Sequence, residues 1–225
     1  MQSPMLQQFA QTPIVDRMSN HGAKMAKVMM QPGQDLLART GSMVAYTGLV
    51  DFNPNPPQLA SMVRSWATGE GVPLMACVGQ GELYLADYGK DVVVLQLAGE
   101  ALSVNGRNIL AFDATMQWSI ERVKGISMLS GSGMFNVVIR GSGWVALTSR
   151  GTPMVLDTRE APTFVDTDAL VAFTEGLRVQ PRRTAKLGGL FGRGSGEAFQ
   201  LGFSGQGLVV VQPSEDARPT LQVRG

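Results

Sequence analysis

The chain has 225 residues, of which 44% are hydrophobic and only 16% are charged. That length suffices for one large all-β domain or for two smaller domains. The formal net charge of +1 argues against a general attraction to nucleic acid or acidic membranes, and the single cysteine excludes an internal disulfide framework. So few charges indicate that other subunits cover part of the surface.

Residues 1–24 are predicted to form an N-terminal arm that adds a strand to the core or lies over a neighbour. They contain no apolar run after a basic start, so a secretory signal is not expected. No stretch elsewhere approaches the roughly 20 apolar residues of a membrane helix. We therefore expect a cytoplasmic protein that does not span a membrane and whose only possible membrane contact is peripheral, at the membrane surface.

The first elements after the arm are predicted to be a strand at residues 27–30 and a turn at residues 31–34, which contain a Pro-Gly pair. Residues 51–57 include three prolines, which cannot donate to a sheet ladder, so we expect a loop there. In residues 58–67 the apolar side chains are spaced 3, 1 and 3 apart, which predicts one short amphipathic helix.

Three Gly-X-Gly motifs begin at positions 79, 141 and 205, each between two runs of alternating apolar residues. Such alternation is typical of a strand with one buried face, and a glycine turn between two such strands predicts a β-hairpin. The positions two residues before each motif are Cys77, Ile139 and Phe203. They have the same phase, so we expect all three side chains to point into a core.

A second motif, an apolar run that ends in alanine and an aromatic residue, also occurs three times, with the aromatic at Tyr46, Phe112 and Phe173. Both motifs recur at a pitch of about 60 residues, which indicates three internal repeats. We expect a single all-β domain with at most one short helix. Its predicted units are residues 25–91, 92–156 and 157–216, followed by a tail at 217–225.

Longer blocks of sequence are built on these motifs. They are GSMVAYTG at residues 41–48, GQGELYLAD at 79–87, GEAFQL at 196–201, GxGLV at 205–209 and VQPSE at 211–215. Together they resemble bacterial members of the altered-inheritance-of-mitochondria, or mitochondrial biogenesis, family, from about residue 25 to about residue 216. The long Met- and Gln-rich arm departs from the pattern of that family.

The resemblance implies a double-stranded β-helix, similar to a β-sandwich, of the tryptophan-RNA-binding-attenuation-protein-like (TRAP-like) superfamily. It also implies a homo-oligomer, with a trimer favoured. Eukaryotic relatives are linked to the organisation of the mitochondrial inner membrane. The resemblance brings no catalytic residues to this chain.

Residues for common catalytic or metal chemistry are scarce in this sequence. The single histidine, His21, lies in the predicted arm, so neither a Ser-His-Asp triad nor a cupin-like metal site can be built on the β core. Cys77 occupies an inward strand position, which predicts a buried apolar side chain rather than a nucleophile. We expect no enzyme activity, no metal site and no cofactor.

One stretch of charge stands out near the C terminus. Five basic residues lie within sixteen positions that contain no acid: Arg178, Arg182, Arg183, Lys186 and Arg193. Such a run is typical of a solvated loop, and it also fits an anion-binding patch for lipid headgroups or RNA phosphates. Leu190 and Phe191, in the glycine-rich connection that follows, are candidates for an apolar tip that docks onto a partner.

These observations favour a non-catalytic homo-oligomeric scaffold that contacts a protein partner or a membrane surface. The alternative is RNA or other polyanion binding through the basic stretch, although the stretch lacks the aromatic side chains on which single-stranded bases stack. An enzyme or small-ligand binder would need polar residues that converge on inward strand positions, and the inward positions named above are apolar.

Overall fold

The computed structural model describes residues 16–54, 72–122, 135–183 and 199–213. These residues form antiparallel strands and no helix, which confirms the all-β prediction. The predicted helix at residues 58–67 lies outside them. The strands are β1 Met18–His21, β2 Met25–Met30, β3 Leu36–Arg39, β4 Met43–Asn53, β5 Leu74–Leu85, β6 Asp91–Asn105, β7 Ile109–Asp113, β8 Gln117–Arg122, β9 Phe135–Ser149, β10 Met154–Asp157, β11 Thr163–Asp166, β12 Leu170–Thr174, β13 Arg178–Arg183, β14 Phe199–Ser204 and β15 Leu208–Val211.

The described end of the predicted N-terminal arm belongs to the sheet, because β1 pairs with β2. The predicted strand at residues 27–30 lies within β2, and the predicted turn is closed by a hydrogen bond from the Gln34 amide to the Gln31 carbonyl, at 3.0 Å. Both predictions are confirmed. The predicted loop is wrong for residues 51–53, which β4 includes because they pair with residues 76–78 of β5. Residues 55–57 lie outside the described part.

The Gly-X-Gly motifs are not hairpin turns, so that prediction is wrong. Gly79 lies inside the continuous strand β5 and Gly141 inside the continuous strand β9, with φ of +119° and +108°. Gly205 separates β14 from β15, which lie in different sheets and do not pair with each other. Glycine adopts such φ values at little cost. Each motif is therefore a corner, at which the chain bends from one layer of the fold into another.

The third unit shows how the corners build a two-layered core. Three bent segments follow one another in the chain, which we name the leading (β10 and β11), middle (β12 and β13) and closing (β14 and β15) segments. Their pairing gives two layers, with β15 between β10 and β12, and β14 between β11 and β13. A hydrophobic core lies between the layers, where the rings of Phe173 and Phe203 are 5.2 Å apart.

The first and second units have the same layout. Their leading segments are β2 with β3, and β6; their middle segments are β4, and β7 with β8; their closing segments are β5 and β9. The hydrophobic core divides into three clusters, each centred on one unit. By this layout the second unit begins at Asp91 and the third at Met154, so β10 belongs to the third unit.

The register of the middle and closing segments repeats from unit to unit. The aromatic residue of each Ala-aromatic motif lies opposite the residue two positions after its corner, and a bulge precedes the alanine in all three units. The pairs are Tyr46 with Leu83, Phe112 with Val145, and Phe173 with Val209. A backbone hydrogen bond repeats as well, from Ala86 to Ser42, Thr148 to Asn108 and Gln212 to Ala169. The three internal repeats are therefore confirmed.

The predicted inward phase is also confirmed. Cys77 and Ile139 are completely buried and Phe203 nearly so. On the far side of each corner, the second and fourth residues after the motif are buried as well: Leu83, Leu85, Val145, Leu147, Val209 and Val211. The alternation of each strand thus continues through the corner into the same core.

Candidate functional site

The described residues contain few potentially reactive groups, and most of these groups are buried or hydrogen-bonded to other side chains. These residues contain no group of three or more His, Cys, Asp or Glu suited to a metal ion. They also include no apolar helix long enough to cross a bilayer. Burial raises the pKa of the Cys77 thiol to about 12, so the reactive thiolate is scarce at neutral pH. Asp157, in turn, accepts hydrogen bonds from Arg159, which lower its pKa to about 2.

The densest polar cluster lies on β2 and β5. Lys27 is buried, and its Nζ is 2.9 Å from Oε1 of Glu82, while the Tyr84 hydroxyl donates to Oε2 of Glu82 at 2.9 Å. The His21 and Tyr84 rings make a T-shaped contact, with centroids 5.8 Å apart. The hydrogen bond from Lys27, followed by that from Tyr84, lowers the pKa of Glu82. Burial acts to lower the pKa of Lys27, but its bonds to Glu82 and Tyr84 outweigh burial and raise it.

This cluster therefore consists of a fixed ion pair. A lysine whose pKa is raised stays protonated and has no free base to offer, and a carboxylate whose pKa is lowered is a poor proton donor at neutral pH. The cluster ties β1, β2 and β5 together. Sequence reasoning did not identify it, because Lys27 and Glu82 are 55 positions apart in the chain and become neighbours only through the β2–β5 register.

A second buried charge, Asp113, lies beside the corner of the second unit. Its Oδ2 accepts a hydrogen bond from the Trp144 amide at 2.8 Å, and its Oδ1 is 2.6 Å from Nη1 of Arg17. Burial raises the pKa of Asp113, while the Trp144 amide and Arg17 act in the opposite direction. Both oxygens face groups of this chain, so the carboxylate joins the N-terminal segment to the second unit.

The structure brings together only part of the predicted basic patch. Arg178 and Arg182 are exposed and are four residues apart on β13, so they lie on the same face of that strand. Arg183 ends β13, whereas Lys186 and Arg193 lie outside the described residues, as do Leu190 and Phe191 of the predicted docking tip. The Arg182 guanidinium lies 4.7 Å from the centre of the Phe164 ring on β11. This aromatic neighbour is absent from the linear stretch.

The largest feature that sequence reasoning missed is an exposed apolar strip on β4, formed by Met43, Val44, Tyr46 and Leu49. Val44 is 56% exposed, Tyr46 46% and Leu49 85%. The Tyr46 ring is supported by an edge contact with Phe52, with centroids 5.3 Å apart. The Ala-aromatic motif is buried in the other two units, so the sequence motif gave no sign that its first copy lies at the surface.

Comparisons with known proteins agree with this architecture. Residues 17–214 match the family model described as Mitochondrial biogenesis AIM24. An X-ray crystal structure of a protein from Streptococcus pyogenes has the same fold, with a TM-score of 0.71 and 22% identity over 88% of this chain and 92% of that one. A search of curated proteins finds no match. Because the family model covers most of the chain, the chain belongs to the mitochondrial biogenesis AIM24 family.

Proposed function

We propose that the protein is a non-catalytic homo-oligomeric scaffold or binding protein. The observation that carries this proposal is the exposed apolar strip of β4. Proteins that act as monomers rarely leave several large apolar side chains of one strand in water unless those side chains bind something. The remainder of the described fold supports the non-catalytic part, because the buried Lys27 and Asp113 each face a side chain of opposite charge and Cys77 lies in a core.

The scaffold acts in the cytoplasm, and its partner is a protein or the surface of a membrane. The exposed arginines Arg178 and Arg182 on β13 supply positive charge of the kind that binds acidic lipid headgroups. Oligomerisation multiplies any such weak contact, because several copies engage one surface at once.

Sedimentation velocity over a range of concentrations tests the proposal. We expect an oligomer at micromolar concentration, with a trimer favoured, and a shift towards monomer in Val44→Asp because the new carboxylate lies in the apolar strip. Val155→Asp is a matched control, since Val155 is 57% exposed on β10 and the substitution is the same. A wild-type monomer at micromolar concentration contradicts the proposal.

Polyanion binding is the second candidate, and one observation favours it. Arg178 and Arg182 share an exposed face of β13, and Arg182 stacks on Phe164, which gives the patch the aromatic group that the sequence alone did not show. We expect retention on RNA to fall with increasing salt and to be lost in Arg178→Glu/Arg182→Glu. Retention that is absent, or independent of salt, removes this candidate. Flotation with vesicles of phosphatidylcholine and phosphatidylglycerol tests the membrane partner in the same way.

A further inference from the structure

One strand contact joins the units, and the chain uses it twice. The second half of a leading segment pairs with the first half of the next middle segment: β3 with β7, and β6 with β12. The register is the same in both contacts. Leu37 lies opposite Phe112, and Ser103 lies opposite Phe173, so the aromatic of the motif always faces the equivalent leading residue.

The three units form an array, and in the part of the chain that the structure describes each end of this array carries one half of the contact without a partner. Among the described strands, β4 pairs only with β5, so the edge that corresponds to the β3-facing edge of β7 is open. At the other end β11 pairs, within the described residues, only with β14, so no described strand lies at the edge that corresponds to the β7-facing edge of β3. One chain therefore presents both edges of the same junction, the middle-segment edge on β4 and the leading-segment edge on β11.

Burial at equivalent positions shows what the junction covers. Phe112 is completely buried and Phe173 is 8% exposed, whereas Tyr46 is 46% exposed. The same holds on the leading side, where Leu37 and Ser103 are buried and Phe164 is 48% exposed. The exposed positions at the ends of the array are those that the inner junctions bury.

We propose that β4 of one copy pairs with β11 of a second copy in the register of the inner junctions. The register follows from the pairing of the leading segments with the closing segments. Thr163 lies opposite Phe203, and Leu36 lies opposite Cys77, the equivalent position of the first unit. Thr163 therefore corresponds to Leu36. This register places Tyr46 opposite Phe164, Thr47 opposite Thr163, and Ala45 opposite Val165. This inference rests on the proposed oligomeric function and names the surface through which the copies meet.

The physical gain comes from both backbone and side chains. An unpaired strand edge presents free amides and carbonyls that favour pairing with another strand. Pairing would also place the two exposed aromatic residues opposite each other across the strands, and such cross-strand aromatic pairs stabilise antiparallel sheets. Because the two edges differ, the contact is head-to-tail, and repetition closes a ring or extends a filament.

Cysteine cross-linking with two singly substituted proteins tests the contact. Thr47→Cys and Thr163→Cys chains, with different affinity tags, are co-expressed, purified and oxidised. Opposed residues in an antiparallel pair have Cα atoms roughly 5 Å apart, within reach of a disulfide. We expect a covalent dimer of the two different chains, and none from either variant alone, because a head-to-tail contact never places two copies of one edge together.

Two controls make the result specific. Thr47→Cys co-expressed with Thr152→Cys, an exposed threonine outside both edges, is expected to give no dimer. The unsubstituted chain is expected to give none, because its only cysteine, Cys77, is buried.

Each alternative result overturns the inference in a distinguishable way. A sedimenting oligomer without the mixed cross-link, or a dimer from Thr47→Cys alone, excludes this junction but leaves the proposed scaffold intact. A wild-type monomer removes both. An oligomer that forms only when residues 1–15 are deleted means that this chain's own N-terminal segment covers β4, and it excludes a second copy as the natural occupant.

Discussion

The middle segments of the first and second units begin with the same motif and end in opposite environments. β4 and β7 pair with their closing strands in one register, each with a bulge before the alanine. Phe112 is nevertheless buried and Tyr46 is not, because β7 has β3 on its far side and β4 has no described strand there. The motif thus determines pairing within a unit, whereas the neighbouring unit determines whether its side chains are buried.

The largest expected effect separates these two aromatic residues directly. Phe112→Ala removes a completely buried ring and is expected to lower the free energy of unfolding by about 3–5 kcal/mol. Tyr46→Ala removes a half-exposed ring and is expected to cost less than about 1 kcal/mol in dilute protein. Urea denaturation of both variants measures the difference. Equal losses at low concentration would mean that the two motifs have the same surroundings in one chain.

The corners of the two units provide the next comparison. At Gly141 a Cβ would meet open space, so Gly141→Ala carries only the strain of φ at +108°, about 1–3 kcal/mol. At Gly79 the φ is similar, but a Cβ would overlap the carbonyl oxygen of Leu49, because β4 stays paired with β5 through the corner. We expect Gly79→Ala to lower the melting temperature more than Gly141→Ala. Unchanged melting of both would contradict the assignment of these glycines as corners.

The ion pair of the first unit provides the last comparison. The position of Glu82, directly after the Gly-X-Gly motif, is occupied by Trp144 in the second unit. The pKa of Glu82 is lowered in the folded chain, so its contribution to stability is present above the ordinary value of 4.5 and is lost as pH falls through the folded value. Thermal melts between neutral and acid pH should show this loss, and Glu82→Gln should reduce the slope.

Lys27→Met provides the complementary test of the same pair. It leaves Glu82 without its charged hydrogen-bond donor and is expected to cost about 1.5–3 kcal/mol at neutral pH. Lys27→Met/Glu82→Gln should lose less than the sum of the two single variants, since the second substitution removes the unpaired charge. Strict additivity would show that the 2.9 Å contact contributes nothing to stability.

The sequence was sufficient to predict the strands, their buried phase and their threefold repetition. Cys77, Ile139 and Phe203 were placed correctly because alternation with a period of two fixes which side chains share a face. Alternation continues in the same way through a reversal and through a bend, so the corners were mistaken for hairpins. It also cannot show which copy of a repeat lies at the end of the array, and for that reason the strip around Tyr46 was missed.

Hydrogen exchange as a function of protein concentration tests the central claim, that the open ends of the array complete each other. At concentrations where the chain is a monomer, the β4 peptide spanning residues 43–47 should exchange faster than the β7 peptide spanning 109–113. At concentrations where it assembles, the β4 peptide and the β11 peptide spanning 163–166 should become protected together. Exchange of the β4 peptide as slow as that of the β7 peptide in the monomer, or assembly that leaves the exchange of the β4 and β11 peptides unchanged, would contradict the account.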